Sequence, residues 1–141
     1  MQERRLVGID YGRRRIGIAV SDLLRITAQP LLVLDLKDQN QAVSAVCKVL
    51  AEIEVERIIL GWPVSPAGSG GQMAAEVESF AEKLRARGYQ VELVDERFTS
   101  REAKAVMHAG GKREKQMRGK LDSIAAQLIL QSYMDENAGE K

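Results

Sequence analysis

The chain has 141 residues, of which 45% are hydrophobic and 29% are charged, and its formal net charge at pH 7 is +1. This length fits one domain with one core, and the composition excludes an intrinsically disordered chain. No apolar run reaches the roughly eighteen residues of a membrane span, and the one cysteine, Cys47, excludes a disulfide framework. We therefore expect one domain over residues 1–135, a disordered polar tail at 136–141 and a cytoplasmic location.

Five segments have the composition of β-strands. The first two are predicted to form a hairpin, because residues 6–9 are apolar and residues 15–20 return after a turn that contains Gly12. We expect the third strand, at residues 30–36, to pair with this hairpin and complete three antiparallel strands. The remaining strands are predicted at residues 55–60 and 89–94.

Four segments have the signals of helices. Apolar residues recur at intervals of three and four along residues 40–53 and 73–87, which predicts two amphipathic helices. A capping box opens a short predicted helix at 100–108. We interpret the basic, glycine-flanked stretch at 110–119 as a mobile loop, and we expect the last helix at 120–135.

The order of these elements predicts the fold class. A strand–helix–strand unit within one sheet is parallel and has a right-handed crossover. The chain is therefore expected to form an α/β fold with a mixed five-stranded sheet, three antiparallel strands followed by two parallel ones, and helices packed on its faces. Ligands of such sheets bind outside the carboxyl ends of the strands. Asp10 ends the first strand and Glu96 follows the fifth, so both belong to that edge.

Asp122 is a third acidic residue with an unusual position. In a helical projection it lies within an apolar arc, between Ile129 and Tyr133. An ionised carboxylate in such a place must be paired, protonated or bound to a metal. Two structural alternatives stay open: Asp10 can cap the hairpin turn, and Asp122 can complement the dipole of its helix.

Three acidic residues on separate elements, without a Ser–His–Asp or Cys–His arrangement, favour metal-dependent phosphodiester hydrolysis. Mg²⁺ and Mn²⁺ take oxygen ligands, and a pair of them activates water and stabilises the leaving oxygen. Clustered carboxylates would otherwise repel one another. Two basic clusters are expected to bind the phosphates of a nucleic acid. These residues are Arg13, Arg14, Arg15, Lys112, Arg113, Lys115 and Arg118.

Two other function classes remain open. One is a nucleotide-binding ATPase of the actin and sugar-kinase type, which also carries a Gly-x-Asp-x-Gly hairpin, although such proteins have two related domains and this chain shows no repeat. The other is a nucleic-acid-binding processing factor with weak catalysis. Trp62, at the end of the fourth strand, is expected either to stack on a base or to anchor the following loop.

Motifs along nearly the whole chain resemble the YqgF/RuvX family of Holliday-junction-resolvase-like proteins, which belong to the ribonuclease H superfold. The motifs are Gly8-Ile-Asp-Tyr-Gly-Arg13, Arg15-Ile-Gly-Ile-Ala-Val-Ser-Asp22, Ala28-Gln-Pro-Leu31, Gly61-Trp-Pro63 with Gly68-Ser69, Val94-Asp-Glu-Arg-Phe-Thr99 and Leu121-Asp-Ser-Ile-Ala-Ala126. The chain departs from the family pattern at Trp62, at residues 64–67 and at Ser100, which affects loop contacts more than the acidic residues.

This resemblance implies a bacterial cytoplasmic nuclease that processes the 5′ end of precursor 16S rRNA in ribosome biogenesis, with Holliday-junction cleavage as the alternative. It assigns the catalytic and metal-binding roles to Asp10, Glu96 and Asp122, with Asp95 as a candidate fourth ligand. In this interpretation Asp10 bridges two Mg²⁺ or Mn²⁺ ions. The expected partners are precursor rRNA or branched DNA, together with ribosomal or processing proteins, and the protein is expected to be a monomer or a homodimer.

Overall fold

The computed structural model describes residues 4–62, 71–95 and 114–137, and for residues 114–123 it describes the backbone. The strands in these ranges are β1 (Arg5–Asp10), β2 (Arg15–Ser21), β3 (Ala28–Asp35), β4 (Val55–Trp62) and β5 (Val91–Asp95). The helices are α1 (Ala42–Leu50), α2 (Gly71–Ala86) and α3 (Glu114–Glu136), and a 3-10 turn at Gln39–Gln41 precedes α1. Within these ranges no helix combines the length and apolar composition that a membrane span requires.

The five strands form one mixed sheet in the order β3-β2-β1-β4-β5. β1 pairs antiparallel with β2, and β2 pairs antiparallel with β3. β4 lies parallel to β1, and β5 lies parallel to β4. The predicted arrangement of three antiparallel strands followed by two parallel strands is therefore confirmed.

Helices cover both faces of the sheet, also as predicted. On one face, α1 and α2 pack against strand residues such as Val7, Ile9 and Ile58. On the other face, α3 packs against Leu6 and Ile59. β1 lies in the middle of the sheet and is covered on both sides, which explains why its sequence is continuously apolar rather than alternating.

The last helix begins earlier than predicted. α3 starts at Glu114, within the stretch that we interpreted as a loop at 110–119. Residues 114–118 are Glu, Lys, Gln, Met and Arg, which are all good helix formers, whereas Gly119 disfavours a helix by only about 1 kcal/mol. The part of the loop prediction that covers residues 114–119 is therefore wrong. The short helix predicted at 100–108 lies outside the described residues.

The buried side of α3 is also centred differently from the predicted arc. Its buried residues are Ala125, Ala126, Ile129, Leu130 and Met134, whereas Leu128 is half-buried. Gln127 and Gln131 bind the backbone of edge strand β3. Gln127 donates to the Ala28 carbonyl at 2.9 Å, and Gln131 accepts from the Ala28 N–H at 2.9 Å.

The chain after α3 bears on the predicted domain end. α3 ends at Glu136, one residue beyond the predicted boundary at 135. Residues 138–141 lie outside the described residues, so the single domain at 1–135 and the tail at 136–141 stay predictions.

Candidate active site

Asp10 lies at the carboxyl end of β1, on the face of the sheet that α3 covers. A Cβ atom built on Gly8 would lie 2.7 Å from the Leu130 Cβ and 2.8 Å from the Ala126 carbonyl oxygen, so Gly8 faces α3 at very close range. Leu6 packs on the same side. Side chains alternate along a strand, so Asp10, two residues beyond Gly8, belongs to this face as well. It is half-buried there.

α3 runs in the opposite direction to β1. Its residues Ala126 and Leu130 lie over Gly8. Further along the helix, the Tyr133 hydroxyl accepts a hydrogen bond of 2.9 Å from Arg57, which is the register partner of Leu6 near the start of β1. The helix therefore advances from the middle of β1 towards its amino end, and the first half of α3 extends towards the edge that carries Asp10.

The backbone of Asp122 is at a comparable level to Asp10. Position 122 precedes Ala126 by one helical turn, which is about 6 Å along the axis. Asp10 follows Gly8 by two strand residues, which is about 6.6 Å. Both residues are thus displaced by a similar distance from the same helix–strand crossing.

Asp95 belongs to the opposite face of the sheet. Along β5, Leu93 packs against the core under α1 and α2, whereas Val94 packs against the core under α3. Alternation then gives Asp95 the α1 and α2 face, where its register partner Trp62 also packs. This is not the face of Asp10, so the arrangement does not favour Asp95 as a fourth ligand. Glu96 lies outside the described residues.

Trp62 anchors the end of β4. Its ring packs against the core under α1 and α2, and its Nε1 donates to Glu78 Oε2 over 3.4 Å. These contacts favour the anchoring interpretation over stacking on a base.

Two of the three predicted phosphate-binding arginines after Asp10 have acidic partners. Arg13 forms a two-pronged contact with Glu76 of α2, in which its Nε lies 3.0 Å and its Nη2 lies 2.6 Å from Oε2. The hydrogen bond from Arg13 holds the pKa of Glu76 below its usual value. Arg14 lies 3.6 Å from Asp35, and Arg15 is half-buried at the start of β2.

The second predicted cluster is only partly described. The backbones of Lys115 and Arg118 lie in the first turns of α3, and Lys112 and Arg113 lie outside the described residues. Among the described side chains, which do not include those of Glu96 and Asp122, no three His, Cys, Asp or Glu residues are grouped as metal ligands. The metal site therefore stays a prediction.

Sequence reasoning missed one group of charged residues. Lys83 and Arg87 line a cleft beside Tyr11 and Arg13 on the α1 and α2 face. Their spacing of four residues on the polar side of a predicted helix was the available signal, although such pairs are common on solvated helices.

Comparisons with known proteins agree with this fold. A family model described as "RuvX: Holliday junction resolvase" matches residues 4–136. A protein of Syntrophus aciditrophicus is 37% identical over 97% of this chain and 92% of its own length. One of Synechococcus elongatus is 40% identical over 92% of this chain and 88% of its own length. Both are named "Putative pre-16S rRNA nuclease".

Two solved resolvase structures are similar in fold at low sequence identity. Thermus thermophilus RuvC in complex with a Holliday junction substrate has a TM-score of 0.56 and 18% identity, covering 93% of this chain and 96% of that one. Fowlpox virus resolvase with Holliday junction DNA has a TM-score of 0.56 and 12% identity, covering 94% and 97%. The expected ribonuclease H-like fold is confirmed by these neighbours. Since the family model spans almost the whole chain and the relatives exceed a third in identity, this chain belongs to the RuvX family of Holliday-junction-resolvase-like proteins.

Proposed function

We propose that this chain is a divalent-metal-dependent nuclease that hydrolyses phosphodiester bonds of structured nucleic acid, and that its substrate is the precursor of 16S rRNA. The observation that carries the proposal is the crossing of α3 over Gly8, from which we infer that Asp10 and position 122 share a face and an edge of the sheet. The names of the curated relatives support the choice of precursor rRNA. Such a nuclease would act in the cytoplasm, next to the assembling small ribosomal subunit.

The proposed ligands of the metal are Asp10, Glu96 and Asp122. All three offer carboxylate oxygens, which are the donors that Mg²⁺ and Mn²⁺ prefer. In the sequence, Glu96 directly follows the last residue of β5. Asp95 is left out because it belongs to the other face.

The protein contributes rigidity and charge. Asp10 ends a strand that is hydrogen-bonded on both sides and buried on both faces, so its position is fixed without a large loss of entropy on binding. Asp10, Glu96 and Asp122 are the residues that would hold the ions. When bound, the ion pair would supply a water of lowered pKa and charge stabilisation of the leaving oxygen.

The experiment that tests this proposal replaces Asp10 by Asn and measures Mn²⁺- and Mg²⁺-dependent cleavage of a precursor 16S rRNA fragment. Asp10→Asn keeps the size of the side chain and removes its charge, so we expect cleavage to fall by at least about a hundredfold, more than for the loss of a group that only orients a ligand. The matched control is Asp135→Asn, the same change at an exposed position near the other end of α3. Undiminished cleavage by Asp10→Asn would refute the metal mechanism.

Cleavage of Holliday junctions is the second candidate, favoured by the description of the family model. A junction has two symmetric strands to cut, so paired nicks require two active sites and hence a dimer. Sedimentation together with a panel of four-way junctions and precursor rRNA distinguishes the two candidates. A monomer that cuts only the rRNA supports the first, and a dimer that cuts junctions in pairs supports the second. Metal-independent binding without any cleavage would instead indicate a processing factor.

A further inference from the structure

A cleft of about 850 Å³ opens on the face of the sheet opposite α3. It lies between the turn after β1, the start of α1 and the polar side of α2. The lining residues that matter here are Tyr11, Arg13, Glu76, Lys83 and Arg87. None of these residues belongs to the proposed metal site, which lies on the α3 face.

A second cleft of about 640 Å³ lies beside the first, and Arg13 lines both. The second cleft adds Arg14 and Lys37 together with Asp35. Five cationic side chains therefore face only two carboxylates along this surface, although the whole chain has a net charge of only +1. Positive charge is thus concentrated here rather than spread evenly over the molecule.

Three of these cations are not neutralised by acidic neighbours. The two carboxylates are engaged by the arginines of the β1–β2 turn, since Glu76 binds Arg13 and Asp35 lies near Arg14. Lys37, Lys83 and Arg87 are exposed and form no ion pair in the described parts of the chain. An extended anion would meet three uncompensated charges along the two clefts.

An aromatic ring accompanies the charges. Tyr11 is half-buried, and its ring packs on Phe80 with the ring centroids 4.9 Å apart. Cationic side chains along a groove with an aromatic platform are the combination that binds single-stranded nucleic acids, because the backbone follows the charges and a base stacks on the ring. Lys83 lies in the last turn of α2, and Arg87 lies in the turn that directly follows the helix.

Chain connectivity links the cleft to the candidate active site. Tyr11 lines the cleft and directly follows Asp10, the last residue of β1. The cleft therefore begins next to the carboxyl edge of the sheet. A strand that passes this edge can continue over the β1–β2 turn onto the opposite face. We propose that these two neighbouring clefts bind the phosphate backbone of a single-stranded segment that flanks the cleaved bond. The inference rests on the proposed function for the identity of the ligand, but not on metal catalysis.

The test compares two double variants that each remove two positive charges. Lys83→Ala with Arg87→Ala removes charges of the cleft, and Arg4→Ala with Lys48→Ala removes exposed charges outside both clefts. The probe is a short fluorescein-labelled single-stranded oligoribonucleotide, and its affinity is measured by fluorescence anisotropy in EDTA over a series of salt concentrations. All the substituted side chains are exposed, so circular dichroism is expected to show a native fold for both variants.

We expect the cleft variant to bind several-fold more weakly and to reduce the slope of log K against log salt by about 1.4, which is about 0.7 for each lost phosphate contact with a single strand. The control variant should keep the wild-type slope. Equal slopes and affinities for the two double variants would overturn the proposal. Because EDTA removes divalent ions, this result is independent of whether Asp10→Asn abolishes cleavage, and the two proposals can fail separately.

Discussion

At the scale of single residues, one carboxylate closes the turn between β2 and β3. Asp22 Oδ1 accepts hydrogen bonds from the N–H groups of Ile26 at 2.7 Å and Thr27 at 3.2 Å. Burial alone would raise the pKa of Asp22, but these backbone donors outweigh it and lower the pKa. In the same turn Arg25 lies 2.6 Å from Glu56, and its hydrogen bond lowers the pKa of that carboxyl group.

These two shifts predict acid sensitivity. A carboxyl group whose pKa is lower in the folded state stabilises the fold fully above its unfolded pKa, and this contribution is lost as the pH falls through the folded value. We therefore expect the free energy of unfolding to decrease below about pH 5, as urea denaturation between about pH 7 and pH 3 will measure. Asp22→Asn should weaken this decrease. A variant whose stability falls with pH as steeply as that of the wild type would show that Asp22 is not involved.

The sequence predicts the positions of single residues when they depend on local structure, but it does not predict partners that are distant in the chain. The placement of Asp10 at the end of a buried strand is a local property, and the structure has it there. The partner of Arg13 is not local, because Glu76 is 63 residues away and no pattern connects the two. Conversely, the separation of Asp95 from Asp10 follows from strand alternation once the start and register of β5 are known.

At the scale of elements, the sequence of the long helix α3 predicted neither where the helix starts nor the full set of its buried residues. Glycines at both ends of the 110–119 stretch suggest a loop, whereas the residues between 114 and 118 favour a helix, and the helix prevails. The apolar residues alone did not predict the orientation of α3, because two glutamines on this helix also bind the sheet. Gln131 in fact binds the backbone of Ala28 and of Ile26, and these contacts are about a hundred positions apart in the chain. Such long-range partners cannot be read from periodicity.

The contact between α3 and β1 depends on the absence of a side chain at Gly8. The Cβ of an alanine there would lie 2.7 Å from the Leu130 Cβ and 2.8 Å from a backbone oxygen, distances that neither partner can relieve by a rotamer change. We expect Gly8→Ala to lower the free energy of unfolding by about 1–3 kcal/mol, as overpacking does, and to lower the melting temperature. Cleavage should fall as well, because the helix must move away from the strand that carries Asp10. Differential scanning calorimetry and the rRNA cleavage assay measure the two effects.

Gly88→Ala is the control for this substitution. Gly88 has a φ of +98° and no atom within 4 Å of an added Cβ, so its replacement costs stability only through backbone strain, about 1–2 kcal/mol. It is remote from the α3 crossing, so we expect cleavage to be unchanged at temperatures where it is folded. If Gly8→Ala kept both the wild-type melting temperature and activity, the crossing would not set the position of α3.

At the scale of the whole molecule, the sheet separates two surfaces with different roles. The α3 face carries Asp10 at its carboxyl edge, and the opposite face carries the cationic clefts along α2. The β1–β2 turn joins them, because Asp10 and Tyr11 are consecutive. The overall charge of +1 gives no sign of this division, since it is a sum over the whole chain.

The central claim is that Asp10, Glu96 and Asp122 form one divalent-metal site, and Mn²⁺ titration by isothermal titration calorimetry tests it most directly. The wild-type protein is predicted to bind two Mn²⁺ ions, and Asp10→Asn, Glu96→Gln and Asp122→Asn are each predicted to weaken or abolish that binding. Asp135→Asn is predicted to leave it unchanged. Binding of Mn²⁺ by the three single variants with the stoichiometry and affinity of the wild type would contradict the account.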